Sequence, residues 1–217
     1  QKHGEDLISN NVEFMHPNRV MEGIRARSRI MLDREMFINK GKEEFADKKV
    51  LFILPVLDAG GGANVILDEA QCMLDMGVEV SIFNLPENKS GFLKNYAHSD
   101  VPFIFEKIQY LPKVAESFDA VVASANYSVP WLIPLQELSS KPILGYYVQG
   151  FEALMYDQGS QEYQQAVESY SLINGIKLFT KTQWTRKEVF AHTGANSDVV
   201  GISVNYDLFR PRDMLLM

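Results

Sequence analysis

Apolar and polar positions alternate along this chain in blocks that predict strands and helices in turn. Continuous apolar runs at residues 50–54 and Ile143–Val148 are typical of strands buried on both faces of a sheet. Residues 63–76 carry apolar positions at helical spacing, and Gly77 is the predicted end of that helix. Further predicted strands are residues 78–83, Phe103–Phe105, Ala120–Ala123, Lys177–Thr180 and 199–204, and further predicted helices are residues 131–138, 161–173 and 183–192, with residues 86–99 as a loop. This rhythm predicts an α/β fold, a parallel sheet with helices on both faces, over residues 48–205.

Residues 1–47 have a different pattern, which predicts a helical N-terminal extension. Asn18 is suited to cap a helix that starts at Arg19, and Gly41 is its predicted end. Residues 19–42 carry a net charge of +4, whereas residues 43–217 carry −9. Such a helix either contacts an anionic membrane surface or an acidic partner, or packs as a solvated helix on its own domain.

Composition narrows the functional classes. The formal net charge of −7 argues against a general nucleic-acid binder. Cys72 is the single cysteine, which excludes an internal disulfide and indicates a reducing compartment. No apolar run approaches the roughly 20 residues of a membrane span, and the four histidines show no ligand spacing, so we expect no metal. We therefore expect a cytoplasmic protein, peripheral at the inner face of the membrane if the basic helix binds there.

A run of three glycines, Gly60, Gly61 and Gly62, follows the first predicted strand and opens the first helix with Ala63. Bare backbone at a helix N-terminus favours an anion such as a phosphate, although glycines at such a turn can be purely structural. The dinucleotide fingerprint fails, because Val65 stands where its last glycine should be and Asn84 replaces the acidic residue that holds a ribose. No Gly-Lys-Ser/Thr of a Walker loop follows either.

Polar side chains follow three other predicted strands at the same edge of the sheet, where ligands of such folds bind. Asn126 and Tyr127 follow the fourth strand, Gln149 and Glu152 the fifth, and Lys181 the sixth. They have the chemistry to bind a polar ligand, and Glu152 could accept a proton. Turn formation, helix capping and solvation are the structural alternatives. No nucleophile elbow occurs, so the catalytic residue is unknown.

The segment VVGISVNYDLFRPRD, residues 199–213, resembles the hinge of retaining glycosyltransferases of family 4, in which a strand and an F-x-P motif lead out of the N-terminal domain. Phe209 and Pro211 match that motif, whereas Asn205 replaces the usual aspartate. The stretch YYVQGFE with GGGAN is similar to bacterial L-rhamnosyltransferases of surface-glycan assembly.

This resemblance implies the Rossmann-like, acceptor-side half of a GT-B fold, with residues 206–217 as a hinge toward a C-terminal donor-binding domain missing from this chain. It implies transfer of L-rhamnose with retention from dTDP-L-rhamnose, without a metal or other cofactor, to a saccharide or lipid-linked saccharide. Gly60, Gly61, Gly62 and Ala63 would bind the donor diphosphate, and Asn126, Tyr127, Gln149, Glu152 and Lys181 the acceptor. We expect no turnover from this chain alone. The histidines that many relatives carry after the fourth and fifth strands are replaced here, which argues against a histidine-assisted mechanism.

Three other functions stay open at this point. The first is a non-catalytic module that binds a carbohydrate or a nucleotide. The second is a nicotinamide-dependent oxidoreductase, which the failed fingerprint disfavours. The third is a structural role in a polysaccharide-assembly complex, docked through residues 19–42.

Overall fold

The computed structural model describes residues 17–201. The predicted hinge at residues 206–217, with Phe209 and Pro211, lies outside the described residues, as do residues 1–16 and most of the predicted strand 199–204. The chain divides into two compact units between Glu44 and Phe45.

The described part of the first unit is one long helix, α1, which spans Pro17–Phe45. Proline is favoured in the first turn of a helix, so the helix begins slightly before the predicted Arg19. The helix does not end at the predicted Gly41 but continues to Phe45. Across Gly41, the Lys40 ammonium pairs with the Glu44 carboxylate one turn later, at 3.8 Å. Ile30, Met31 and Ile38 are half-buried on one side of α1.

The second unit is built on one sheet of seven strands in the order β3-β2-β1-β4-β5-β6-β7, with every neighbouring pair parallel. Its strands are β1 Lys49–Ile53, β2 Glu79–Asn84, β3 Phe103–Phe105, β4 Ala120–Ala123, β5 Ile143–Val148, β6 Lys177–Thr180 and β7 Asp198–Val199. The predicted α/β, Rossmann-like fold is confirmed.

Two layers of helices cover this sheet. The α-helices of the second unit are α2 Gly61–Asp75, α3 Lys89–Tyr96, α4 Leu111–Ala115, α5 Gln161–Glu168 and α6 Gln183–Thr193, and the 3-10 segments are Pro86–Asn88, Ile108–Tyr110, Asn126–Glu137 and Glu152–Met155. Side chains from α2 and α3 pack against Phe52 on one face, and those from α4, α5 and α6 pack with Leu51 and Ile53 on the other. The apolar run of β1 is continuous because both of its faces are buried.

Besides the helix end at Gly41, three sequence predictions of local structure were wrong. Residues 86–99 form a 3-10 turn and α3 instead of a loop, because Phe92 is fully buried and lies 5.1 Å from the Phe103 ring. The predicted helix 131–138 belongs to a 3-10 segment that contains Pro130 and Pro134, which have no N–H for α-helical bonding. The predicted helix 161–173 ends at Glu168, beyond which Ser169 Oγ donates to the Ala166 carbonyl.

The strand order places a topological switch point between β1 and β4. From β1 the chain continues to β2 and β3 on one side, whereas β4 to β7 extend the sheet on the other. In parallel α/β sheets, the carboxyl ends of the two strands at such a point flank the ligand crevice. The loops that follow β1, β4, β5 and β6 are therefore the ones that matter for function.

Candidate functional site

The floor of the candidate site is formed where β1 and β4 end side by side. Ile53 and Ala123 are in register, and Ser124 Oγ donates to the Ile53 carbonyl at 2.7 Å. This buried bond joins the two strand ends at the switch point. The glycine loop therefore starts beside the turn that carries Asn126.

The glycine loop is held from the side by Tyr96 at the end of α3. The Tyr96 hydroxyl donates to Asn64 Oδ1 at 2.8 Å and accepts a long bond of 3.4 Å from the Gly60 N–H. Helix α3 also approaches the loop closely at Gly91, where a Cβ would lie 2.8 Å from the Leu57 carbonyl oxygen. Helix α3, which the sequence analysis predicted as a loop, thus supports the glycine loop.

The three glycines differ in the space around them. A Cβ at Gly60 or Gly61 would meet nothing within 4 Å, and both residues are exposed. A Cβ at Gly62 would lie 3.0 Å from the Gln149 amide, whose Nε2 donates to the Gly62 carbonyl at 3.3 Å. Ala63 is buried in the core, so only its backbone could meet a ligand. The loop therefore offers open backbone at Gly60 and Gly61 and a filled contact at Gly62.

Gln149 and Lys181 occupy neighbouring places at the ends of β5 and β6. Val148 pairs with Thr180, so the residue that follows each strand lies at the same level of the sheet. Lys181 Nζ lies 5.9 Å from the centroid of the Tyr147 ring, and the Tyr147 hydroxyl donates to Glu69 at 2.7 Å. Burial lowers the pKa of Lys181, and the charge of Glu69 acts in the opposite direction. A half-buried lysine thus follows β6 at the same level at which Gln149 follows β5.

Asn126 and Glu152 are both buried, and they are bonded to each other. Glu152 Oε2 accepts the Asn126 backbone N–H at 2.6 Å, and Asn126 Nδ2 lies 3.5 Å from the Tyr156 hydroxyl. Each of the two residues is 6 % exposed. Tyr127, by contrast, is 47 % exposed, and its hydroxyl reaches the Pro55 carbonyl at 3.4 Å. The structure therefore brings these three predicted residues together, with Tyr127 at the surface and the other two beneath it.

The carboxyl group of Glu152 has an unusual electrostatic environment. Burial raises its pKa from the ordinary 4.5 to about 7, while the Asn126 N–H and the Tyr146 hydroxyl act to lower the pKa. The Tyr146 hydroxyl is itself fully buried. Near neutral pH this carboxyl group is therefore poised between its charged and neutral forms.

Asn84, which ends β2, is fully engaged inside the protein. Its Nδ2 donates to the Val56 carbonyl at 2.8 Å, and its Oδ1 accepts the Leu85 N–H at 2.7 Å and the Asn88 side-chain amide at 2.9 Å. The side chain is fully buried. At the place where a dinucleotide-binding fold presents a carboxylate to a ribose, this chain has an amide that braces the β1 loop.

Tyr96, Asn64 and Gly91 are the supporting residues that sequence reasoning missed. Asn64 was visible next to the glycine loop in the GGGAN stretch, but nothing in the sequence links it to Tyr96, which is 32 positions away. Within residues 17–201 no group of three or more His, Cys, Asp and Glu residues is arranged to hold a metal ion. In the same part of the chain, none of the helices has the length and apolar character needed to cross a membrane.

Comparison with known proteins identifies the fold only. No protein-family model and no curated protein matches this chain. Among solved structures, Anabaena Alr3699/HepE in complex with UDP and glucose matches with a TM-score of 0.58 at 14% sequence identity, over 76% of this chain and 47% of that one. A putative uncharacterized protein from Mycobacterium paratuberculosis aligns with a TM-score of 0.37 at 7% identity, over 74% of this chain and 81% of its own. The chain thus spans less than half the length of HepE, with which it shares its Rossmann-like fold.

Proposed function

We propose that this chain is the acceptor-side half of a GT-B glycosyltransferase, which transfers a sugar from a nucleotide-diphosphate sugar to a saccharide acceptor. The observation that carries this proposal is the exposed, unfilled backbone of Gly60 and Gly61 beside the topological switch point. HepE, which has the same fold, is solved with UDP and glucose, in agreement with a nucleotide sugar as the ligand.

The donor side of the proposed site is made by backbone. In the first turn of α2 the N–H groups of Gly61, Gly62 and Ala63 precede the first intrahelical bond, which Asn64 N–H makes to the Gly60 carbonyl. Such groups, together with the helix dipole, stabilise the negative charge that develops on a leaving diphosphate. The remaining diphosphate contacts would come from a C-terminal domain outside this chain, so we expect no turnover from these 217 residues alone.

The acceptor side is made by side chains. Tyr127, Gln149 and Lys181 are the accessible members of the set, and Asn126 and Glu152 lie beneath them. An exposed tyrosine ring, an amide and a cation suit a sugar ring and the negative charge of an activated or lipid-linked saccharide. The specific reaction that we propose is transfer of L-rhamnose from dTDP-L-rhamnose, with retention and without a metal. It is supported by the similarity of YYVQGFE to bacterial L-rhamnosyltransferases.

Two other functions fit the site less well. A nicotinamide-dependent oxidoreductase would need a ribose-binding carboxylate at the end of β2, where Asn84 is buried and fully bonded. A non-catalytic binding module would hold its ligand tightly by itself. The open glycine loop offers one wall only, so tight binding of dTDP-L-rhamnose by this chain alone would favour the module.

The test is Gly61→Val in the full-length protein, assayed with dTDP-L-rhamnose and a rhamnoside acceptor. A side chain at this open position would keep a diphosphate from the backbone, and we expect transfer to fall by roughly 10² or more, as on removal of an oxyanion-type donor. Gly23→Val is the matched control, because Gly23 is another helical glycine with nothing within 4 Å of a Cβ. Wild-type transfer by Gly61→Val would exclude the proposed role of the loop.

We also propose that α1 contacts an anionic membrane surface. The contact would be made by residues 19–42, the segment for which the sequence analysis raised this possibility. Met21, Arg25, Arg29, Leu32 and Met36 recur at spacings of three and four, so they share one face of the helix, and all five are exposed. Apolar side chains interleaved with arginines are the pattern of a helix that lies in a membrane interface. Acidic lipid headgroups complement the charge of the two arginines.

Vesicle flotation distinguishes this contact from a solvated helix. We expect the chain to bind phosphatidylglycerol vesicles, and the Arg25→Glu/Arg29→Glu variant and 0.5 M salt each to reduce binding several-fold, because both weaken charge attraction. The matched control reverses two exposed lysines of the second unit, Lys177 and Lys187. Equal binding by all three proteins would exclude α1 as the contact, and self-association of the chain without vesicle binding would assign this face to a second copy.

A further inference from the structure

A chain of hydrogen bonds links the end of β5 to the end of β4, and Glu152 is its central residue. The Tyr170 hydroxyl donates to the Gly150 carbonyl at 3.2 Å and accepts the Glu152 backbone N–H at 3.0 Å. These bonds fix the backbone from which the Glu152 side chain reaches out to accept the Asn126 N–H at 2.6 Å. The turn after β4 is therefore held from the neighbouring strand by a carboxyl oxygen.

The bond from Glu152 caps the segment that carries Tyr127. Asn126 opens the 3-10 segment Asn126–Glu137, and Ala125 before it is extended and has no side chain able to cap it. Ser128 Oγ donates to the Ala125 carbonyl at 2.7 Å, so the turn is braced locally at its other end. Replacing the carboxyl oxygen would leave the Asn126 N–H buried without its partner.

The groups that face the Glu152 carboxyl are tyrosine hydroxyls. Tyr146 comes from β5, Tyr170 from the segment after α5, and Tyr127 from the turn after β4. The Tyr156 hydroxyl lies 3.5 Å from the Asn126 side-chain amide next to them. Burial and the charge of Glu152 raise the pKa of Tyr127, which places the exposed ring within the field of this carboxylate. Among the described residues near it, His192 of α6 stacks on Phe151 with 4.5 Å between the ring centroids, and its Nε2 lies 3.8 Å from Glu188 Oε2.

We propose that Glu152 is a positioning residue, whose carboxylate holds the Asn126–Tyr127 turn in the geometry that receives the acceptor and whose protonation releases that turn. The acceptor in this statement rests on the proposed function, whereas the link between Glu152 and the turn does not. Glu152 acts through Asn126 and Tyr127, because its own side chain is buried.

The pH at which the turn is released follows from the burial of the carboxyl. Its pKa of about 7 means that above this pH the Asn126 N–H donates to a charged oxygen, a stronger bond than one to a neutral carboxyl group. Below this pH the bond weakens. Acceptor binding should therefore be lost on acidification through neutral pH, well above the range in which an exposed glutamate titrates.

The test of the link is NMR on the 217-residue chain, with Glu152→Gln and the control Glu137→Gln. Glu137 lies exposed at the far end of the same 3-10 segment. In wild type and control we expect the amide resonances of Asn126 and Tyr127 to shift together, with a midpoint near pH 7, and Glu152→Gln to abolish that step. The proposal would be overturned if the chemical shifts of these amides stayed constant between pH 5 and 9 in wild type, or if Glu152→Gln showed the same step.

Steady-state kinetics of the full-length protein test the positioning role. With dTDP-L-rhamnose and p-nitrophenyl α-L-rhamnoside, we expect the KM for the rhamnoside to rise about tenfold from pH 8 to pH 6, the cost of about one such hydrogen bond, with less change in kcat. Glu152→Gln should flatten this rise and Glu137→Gln should not. A pH-independent KM in wild type overturns the positioning role. Absence of rhamnosyl transfer at every pH counts against the proposed function, and the amide titration then decides the link by itself.

Discussion

The two walls of the crevice are built on opposite principles. The wall after β1 presents backbone, with Gly60 and Gly61 exposed and, apart from neighbouring residues of the chain, no atom within 4 Å of an added Cβ. The wall after β4 and β5 presents side chains, and the polar groups that shape it, Asn126 and Glu152, are buried. The first wall consists of glycine backbone that no side chain covers. The second depends on a carboxyl group whose burial costs free energy.

This difference determines how each wall responds to change. An open backbone wall tolerates loss of its supporting bonds, because water can replace them on exposed groups. A buried carboxyl that accepts a buried N–H has no such replacement, so its state is transmitted to the turn it holds. We therefore expect steric changes to affect the first wall most and pH to affect the second.

The largest effect should come from placing a side chain where the two walls meet. Gly62→Val would put a Cβ 3.0 Å from the Gln149 amide, so this amide has to move and give up its bond to the Gly62 carbonyl. We expect the free energy of unfolding to fall by roughly 1–3 kcal/mol, as in other overpacked sites, and transfer to fall as well. Urea unfolding measures the first effect.

Gly61→Val provides the contrast for that prediction. Its side chain would point into open space, so we expect a change in unfolding free energy within about 0.5 kcal/mol, although transfer is still lost. Equal destabilisation by the two variants would show that the walls do not meet at Gly62.

The glycine wall could be predicted from the sequence because its signal is local. Three consecutive glycines between an apolar run and a helical pattern place bare backbone at the end of a buried strand. The parallel sheet was predictable for the same reason, since each strand is a short run with its own pattern. The role of Tyr96 was not predictable, because α3 buries only Phe92 and contains a glycine, which leaves little helical periodicity.

For the wall at Glu152, the sequence indicated the residue types but not the contacts between them. The sequence pointed to Asn126, Tyr127, Gln149, Glu152 and Lys181 as polar residues after strands. It could not show that Glu152 reaches the Asn126 N–H, because the two are 26 positions apart and their meeting depends on the register of β4 with β5. Burial, which sets the pKa of Glu152, is likewise a property of the packed fold.

The next effect, specific to the buried wall, concerns stability and pH. With a pKa of about 7 in the folded chain and an ordinary value of 4.5, Glu152 binds a proton between these pH values that the unfolded chain has released. The free energy of unfolding should therefore fall as pH rises through this window and stay low above it. Glu152→Gln cannot titrate, so between pH 5 and 8 it should gain about 2 kcal/mol relative to wild type.

Denaturant unfolding at several pH values, with Glu137→Gln beside it, measures this difference. The control should follow wild type, because Glu137 is exposed. Parallel curves for wild type and Glu152→Gln would mean that the carboxyl titrates alike in the folded and unfolded chains.

The smallest effect should come from the support of the open wall. Tyr96→Phe removes the hydroxyl that donates to Asn64 at 2.8 Å and accepts from Gly60 at 3.4 Å, but keeps the ring, whose centroid lies 4.8 Å from that of Phe92. Water can solvate both exposed partners, so we expect a loss of about 1 kcal/mol or less and faster hydrogen exchange at the Gly60 amide.

Asn64→Ala removes the same bond from its other end, and the double variant closes a mutant cycle. Because Tyr96 and Asn64 share one hydrogen bond, the two single-variant losses should add up to more than the loss in the double variant. Strict additivity would show that Tyr96 supports the loop through its ring rather than its hydroxyl. A Tyr96→Phe loss as large as that of Gly62→Val would remove the contrast between the walls, since the backbone wall would then depend on its polar support as strongly as the buried one.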